Sequence, residues 1–202
     1  MKAFAGQAEM LSELAHGFED MHDSIEKLGQ LIKTESVPDL GPNRRAETES
    51  PRALNAKLDL ILLQTKIGQI RQQLIRALIL LWHDHLDAAH SLAQDVEGPD
   101  GAFVHGIMHR REPDYGNAGY WFRRVGEHAA FPEIAKRAAQ IPEIESNEKV
   151  WSALFPAAGW DPFDFINFCE RYARSSDPAR NVLQKIQAIE TEVLLQYFAK
   201  QD

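Results

Sequence analysis

Apolar side chains return every three or four positions along most of this chain, and nowhere do they alternate over a strand-length run bounded by paired turn residues. A period near that of a helix gathers apolar groups on one helical face, whereas a half-buried strand needs strict alternation. The pattern predicts an all-α fold, either a helical bundle or an array of helix hairpins. Leu11, Leu14, Phe18, Met21, Ile25, Leu28 and Ile32 step by three and four, the spacing of a heptad seam. They predict one amphipathic helix over 4–33, weakest at Gly17. A second seam, Leu60, Leu63, Ile67, Ile70, Leu74, Ala77 and Leu81, predicts a long helix that runs on through Leu78–Trp82. The two seams suit packing on each other as an antiparallel hairpin. Each also suits a second copy of the chain, so a homodimer is the alternative.

Residues 34–53 hold three prolines, a glycine and scattered charges, with no apolar period. They read as a linker or mobile loop between the heptad helix, 1–33, and a single helical domain, 54–202. Glu97-Gly98-Pro99-Asp100-Gly101 reads as a turn. A helix over 102–112 must then end near Glu112, because Pro113 disfavours helical geometry in the residue before it. Asp114 or Asn117 suits the cap of the next helix and Gly126 its close, with Arg123 and Arg124 placed favourably in its last turn. Asp161-Pro162 and Asp177-Pro178 each set a capping carboxylate before a first-turn proline, predicting helices over 162–174 and 178–200. Phe163, Ile166, Phe168 and Cys169 supply apolar surface to the first; Val182, Ile186, Ile189, Val193 and Tyr197 stripe the second.

At 202 residues the chain is long enough for one domain with a sizeable core plus an appendage. Its net charge is −8, and its basic residues cluster only as the pairs Arg44-Arg45, Arg110-Arg111 and Arg123-Arg124. General nucleic-acid binding needs a basic face, so that class is set aside. The longest apolar run, Ala77–Trp82, is too short to cross a bilayer, and the first ten residues lack the apolar core of a signal peptide. The lone Cys169 allows no intrachain disulfide, so a reducing, cytoplasmic setting is expected.

Residues 82–128 concentrate the chemistry: six of the eight histidines and two of the four tryptophans fall there. His83, Asp87, His90 and Gln94 share one helical stripe beside an apolar stripe of Trp82, Leu86, Ala89 and Ala93. His105, His109 and Glu112 share another. If the two helices fold back on the turn at 98–101, Gln94 meets His105, His90 meets His109 and Asp87 meets Glu112. His90, His105 and His109, with Asp87 as a further ligand, then form a set for a divalent metal, since bundles build such centres from facing helices. Gly106 stands where a zinc protease of the H-E-x-x-H type carries its glutamate, and the Glu-x-x-His pairs of di-iron bundles are absent, so both classes are excluded. The competing reading leaves these residues bonded to one another or facing water.

The run His109-Arg110-Arg111-Glu112, followed by Asp114, Asn117, Tyr120, Trp121, Arg123 and Arg124, joins anion-binding groups to a large aromatic surface. Here too a structural network of arginines and carboxylates competes with a ligand clamp. The run MHRREPDYGNAGYWFRRVGEH resembles a signature of a family of mainly helical bacterial and fungal proteins with no established activity. The resemblance covers about residues 78–132, leaves out 1–50, and implies helical relatives without implying a reaction. A looser similarity, to helical repeats of the TPR or Sel1 type, rests on Asp84–Gln94 and Asp114–Arg124, which align at an offset of thirty residues.

Two functions follow. In the first, a ligand-binding or catalytic pocket takes a small anionic molecule, with His90 or His109 as base, Glu112 beside it, and Arg110 or Arg111 as clamp; Gln94, Asp114, Asn117, Tyr120, Trp121, Arg123 and Arg124 line it. In the second, the chain is a non-enzymatic interaction or scaffold protein that self-associates through its seams. Burial separates them, because convergent histidines in a pocket favour the first and histidines fanned out on the surface do not.

Overall fold

Every regular element among the described residues, 23–156 and 159–200 of a computed structural model, is a helix. The all-α expectation therefore holds. Leu11, Leu14, Phe18 and Met21 of the first seam lie outside the described residues. Of the rest, Leu28 and Ile32 are buried at the end of α1 (23–31), so this part of the seam serves the chain's own core.

The second seam is not one helix. α2 (Pro51–Leu62) and α3 (Gln69–Trp82) are separated by a turn at 63–68. Ser50 caps α2 by accepting the Ala53 N–H at 3.3 Å, and Pro51 occupies its first turn. The face α2 buries is Leu54, Leu58 and Leu62, one step off the expected register, which leaves Leu60, Leu63 and Ile70 respectively 71%, 85% and 64% exposed. Only the later members, Leu74, Ala77 and Leu81, join the core together with Ile67.

α3 also stops earlier than expected. His85 N–H donates to Leu80 O at 2.9 Å and Asp84 N–H to Leu81 O at 3.1 Å, the pair of bonds that closes a helix through a left-handed residue. That residue is Asp84, with φ +62°. Asp84 stands where glycine is usual because its carboxylate carries two arginines, as described below. α4 (Leu86–Ala93) begins anew, so His83 is not on the stripe of Asp87 and His90. The expected turn at 98–101 is the first turn of α5 (Gly98–Arg111), with Pro99 near its start. Gly101 is required there: a Cβ would lie 2.1 Å from Val96 O.

α5 is the central helix. Every residue from Gly101 to Arg111 is buried, with α3, α4 and α6 (Tyr115–Val125) packed around it. It approaches α6 closely at Gly106, where an added Cβ would meet the Phe122 ring at 2.6 Å. α6 starts under the Asp114 carboxylate and closes at Gly126 with φ +62°. α7 (Phe131–Ala139), α8 (Pro142–Glu145), α9 (Glu148–Trp151) and a short 3-10 turn lead to α10 (Pro162–Tyr172) and α11 (Ala179–Phe198). Asp161 caps α10 through the Phe163 and Asp164 amides at 2.8 and 3.0 Å, and Asp177 accepts the Ala179 N–H at 2.8 Å. Phe165, not Phe163, is the buried aromatic of α10. Burial pushes the Cys169 thiol up to about 12, so it stays a protonated core side chain. No helix among the described residues is long and apolar enough to cross a membrane.

Residues 34–50, expected as a linker, instead form a strap across the end of α3. Leu40 is wholly buried, Gln187 donates to Asp39 O at 3.0 Å, and Arg180 pairs with Asp39. A segment without apolar period can still be ordered when other elements satisfy its backbone groups.

Candidate functional site

Four polar side chains from the last two turns of α5 leave the helix toward different neighbours. Arg110 forms a two-pronged pair with Glu190 of α11, Nη1 donating to Oε1 at 3.2 Å and Nη2 to Oε2, and both residues are 0% exposed. Its guanidinium also lies over the Phe165 ring, 4.3 Å from the centroid. Arg111 donates to Asp84 Oδ1 at 2.7 Å, to Gly41 O at 3.2 Å and to Leu81 O. Neither arginine is a clamp for a bound anion, as both are enclosed and matched by carboxylates of the chain itself. Glu112, next to them in sequence, pairs with neither. It caps α5 and reaches His109.

His105 and His109 point toward α4 and α6 and there meet His90. Ring centroids stand 5.6 Å apart for His90–His105, 5.8 Å for His90–His109 and 6.2 Å for His105–His109. The indole of Trp121 lies flat on His105 at 4.1 Å, and Arg124 covers the tryptophan at 5.6 Å and Tyr120 at 5.9 Å. His105 Nδ1 donates to Gly101 O at 3.3 Å. His109 Nδ1 lies 3.2 Å from Glu112 Oε2 and 3.9 Å from Asp114 Oδ2, while the Asn117 amide nitrogen stands 3.2 Å from Nε2. Burial pushes His105 below its ordinary value, helped by His90 and His109 and opposed by the Gly101 carbonyl. Burial also lowers His109, and Glu112 and Asp114 only partly restore it. Both rings are therefore neutral at neutral pH. His90 is half-buried and has ring contacts but no hydrogen-bond partner among the described residues.

Among the described residues no group of three or more histidine, cysteine, aspartate and glutamate side chains is placed to hold a metal ion. His109 has both nitrogens engaged, Nδ1 by Glu112 and Nε2 by the Asn117 amide. Asp87 is exposed and faces elsewhere, into a polar cleft of about 520 Å3 lined by Pro42 and Arg44 of the strap, by Asp84 to Ala88, and by Glu112. Asp87 and Glu112 thus line the same cleft, with no bond between them among the described residues. Gln94 ends α4 exposed, away from His105, and Arg123 is exposed on α6.

Asp84, Glu190 and Arg45 are missing from the expected site, although they decide the fate of both buried arginines. Glu190 had a signal, since it falls four residues after Ile186 on the apolar stripe of α11. Asp84 and Arg45 had none, because their partners lie dozens of residues away. No protein-family model, curated protein or solved structure matches the chain.

Proposed function

We propose that this chain is a helical ligand-binding protein with acid–base capacity, acting on a small anionic molecule in the cleft between the strap and α4. Glu112 carries this reading: its carboxylate lines the cleft and also accepts from His109, so the cleft and the imidazole cluster are one unit. His90 stands one turn beyond Asp87 on α4 and packs against His109, the ring that Glu112 holds, and we assign it the acid–base role. The neutral His105 and His109 rings leave His90 beside uncharged neighbours rather than cations. Arg44, exposed at the strap edge, is the group that offers the ligand a positive charge. The cleft volume lies in the range of small-molecule sites.

The test is a thermal-shift series with inorganic phosphate and small mono- and dicarboxylates, on the wild type and on His90→Gln, Glu112→Gln and Arg44→Gln. A ligand that binds the folded state raises the midpoint by mass action. We expect at least one of these anions to stabilise the wild type and to lose that effect in all three variants. Equal responses in wild type and variants, or none from any anion, overturn the reading.

A second reading has its own support. Leu60, Leu63 and Ile70 crowd the α2–α3 turn as exposed apolar side chains, and a contact between copies of the chain would cover them. Light scattering at rising concentration distinguishes a dimer that Leu60→Lys/Leu63→Lys dissolves from a monomer throughout.

A further inference from the structure

Four consecutive side chains, Trp82 to His85, clasp the strap that forms one wall of the cleft. Trp82 Nε1–H donates to Thr34 Oγ1 at 3.1 Å. Asp84 accepts from the Arg45 N–H at 3.0 Å and from Arg45 Nε–H at 2.8 Å, and Arg45 also reaches Trp82 O and Ser36 O. His85 Nε2–H donates to Glu49 O at 2.6 Å. His83, 1% exposed, ties the end of α1 to the far end of the strap. Its Nε2 lies 2.8 Å from Leu31 O, and its Nδ1 accepts the Glu49 N–H at 3.3 Å.

These partners leave His83 one protonation state. A carbonyl oxygen only accepts, so Nε2 carries the hydrogen; a backbone N–H only donates, so Nδ1 must be bare. A second proton has no place except Nδ1, where it faces the Glu49 N–H. We propose that His83 is a proton-operated buckle: protonation at Nδ1 breaks its bond to the Glu49 N–H, leaves the strap's C-terminal end to the His85 and Arg45 bonds while the Leu31 bond stays, and so loosens the wall that carries Pro42 and Arg44 over the cleft.

The charged groups around His83 fit such a device. Glu49 favours the cation, but its carboxylate is tied to Lys57 at 2.6 Å. Arg45 and His85 oppose it, and Asp84, between Arg45 and Arg111, is already neutralised. Burial dominates and holds His83 below its ordinary 6.5, so the buckle is closed at neutral pH and opens on acidification.

As a gate the device rests on the cleft being a ligand site, but its test needs no ligand. Amide hydrogen exchange across residues 34–49, corrected for intrinsic rates, is compared at about pH 7.5 and about pH 5.5, either side of the ordinary histidine value. In the wild type we expect protection at Glu49 and its neighbours to fall by about tenfold or more at the lower pH. His83→Asn puts a side-chain oxygen that does not titrate in place of Nδ1 as the acceptor for the Glu49 N–H, so its protection should hardly change with pH. Unchanged wild-type protection, or an equal loss in His83→Asn, overturns the proposal. If His83→Asn does not fold, NMR titration of the wild-type ring decides. The Glu49 amide must move with the same midpoint as the His83 ring, and a ring that titrates without it, or not at all above about pH 5, overturns the proposal. Failure of every anion in the thermal-shift series would remove the cleft's ligand and leave these outcomes untouched.

Discussion

Arginine is almost never fully buried unless paired, and α5 buries two in succession. Each carries a different load. Arg110 ties α5 to α11 through Glu190, and Arg111 ties α5 to the end of α3 and to the strap through Asp84, Leu81 O and Gly41 O. Removing one partner of such a pair leaves an uncompensated buried charge, so Glu190→Gln should cost about 3–5 kcal/mol in a urea titration. Replacing both partners by apolar groups of similar size, Arg110→Met with Glu190→Leu, should bring stability back close to wild type. A double variant as unstable as the single one would mean that the pair contributes well beyond compensating its own burial. Asp84→Asn isolates the charge from the backbone, because asparagine also tolerates the left-handed conformation at φ +62°. It strands Arg45 and Arg111 together, and a loss of about 3–5 kcal/mol is expected.

Helix ends and helix contacts divide sharply in what a sequence discloses. Asp114 and Asp161 act as caps where the local pattern places them, because a cap needs only the two or three residues that follow it, while Asp177 falls one residue before the cap position of α11 and still accepts the Ala179 N–H. Asp161→Ala should cost about 1 kcal/mol, read as a small drop in the denaturation midpoint. The strap and the break after Trp82 depend on partners dozens of residues away, Arg45 with Asp84 and His83 with both Leu31 and Glu49, and no local pattern encodes them. The hairpin of α4 and α5 lies between these extremes. Its spacing correctly brings His90 to His109, yet His90 touches His105 as well, and Gln94 touches neither. The contact between α5 and α6 belongs to the non-local class too. Gly106 is indistinguishable from a helix-weakening glycine in sequence, but the Phe122 ring leaves no room for a Cβ. Although alanine is the better helix former, Gly106→Ala should destabilise the protein by about 1–3 kcal/mol through overpacking. A neutral or stabilising result in thermal denaturation would show that α6 can shift outward at little cost.

At the scale of the whole molecule, three buried histidines, one at the strap and two in the imidazole cluster, respond to pH in the same direction. His83, His105 and His109 are each held below the ordinary 6.5 of the unfolded chain, in every case chiefly by burial. The unfolded state therefore binds more protons than the native state once pH drops below about 6.5. Stability should be level above about pH 7 and decline as pH falls through the interval from the unfolded value down to the lowered native ones. The slope is bounded by about 1.4 kcal/mol per pH unit for each group that takes up a proton on unfolding. Asp84 adds a second, more acidic loss. Burial alone would raise its pKa, but the bonds from Arg45 and Arg111 outweigh burial and hold it below 3.8, so the stability it gives is present above that value and vanishes as pH falls through the native one. Urea midpoints measured from about pH 8 to about pH 4 should trace the histidine step, and His83→Asn should make it shallower by one group's share without moving its onset. An unchanged slope in that variant would show that His83 takes up no proton on unfolding, and that the acid sensitivity belongs to His105 and His109 beside the cleft.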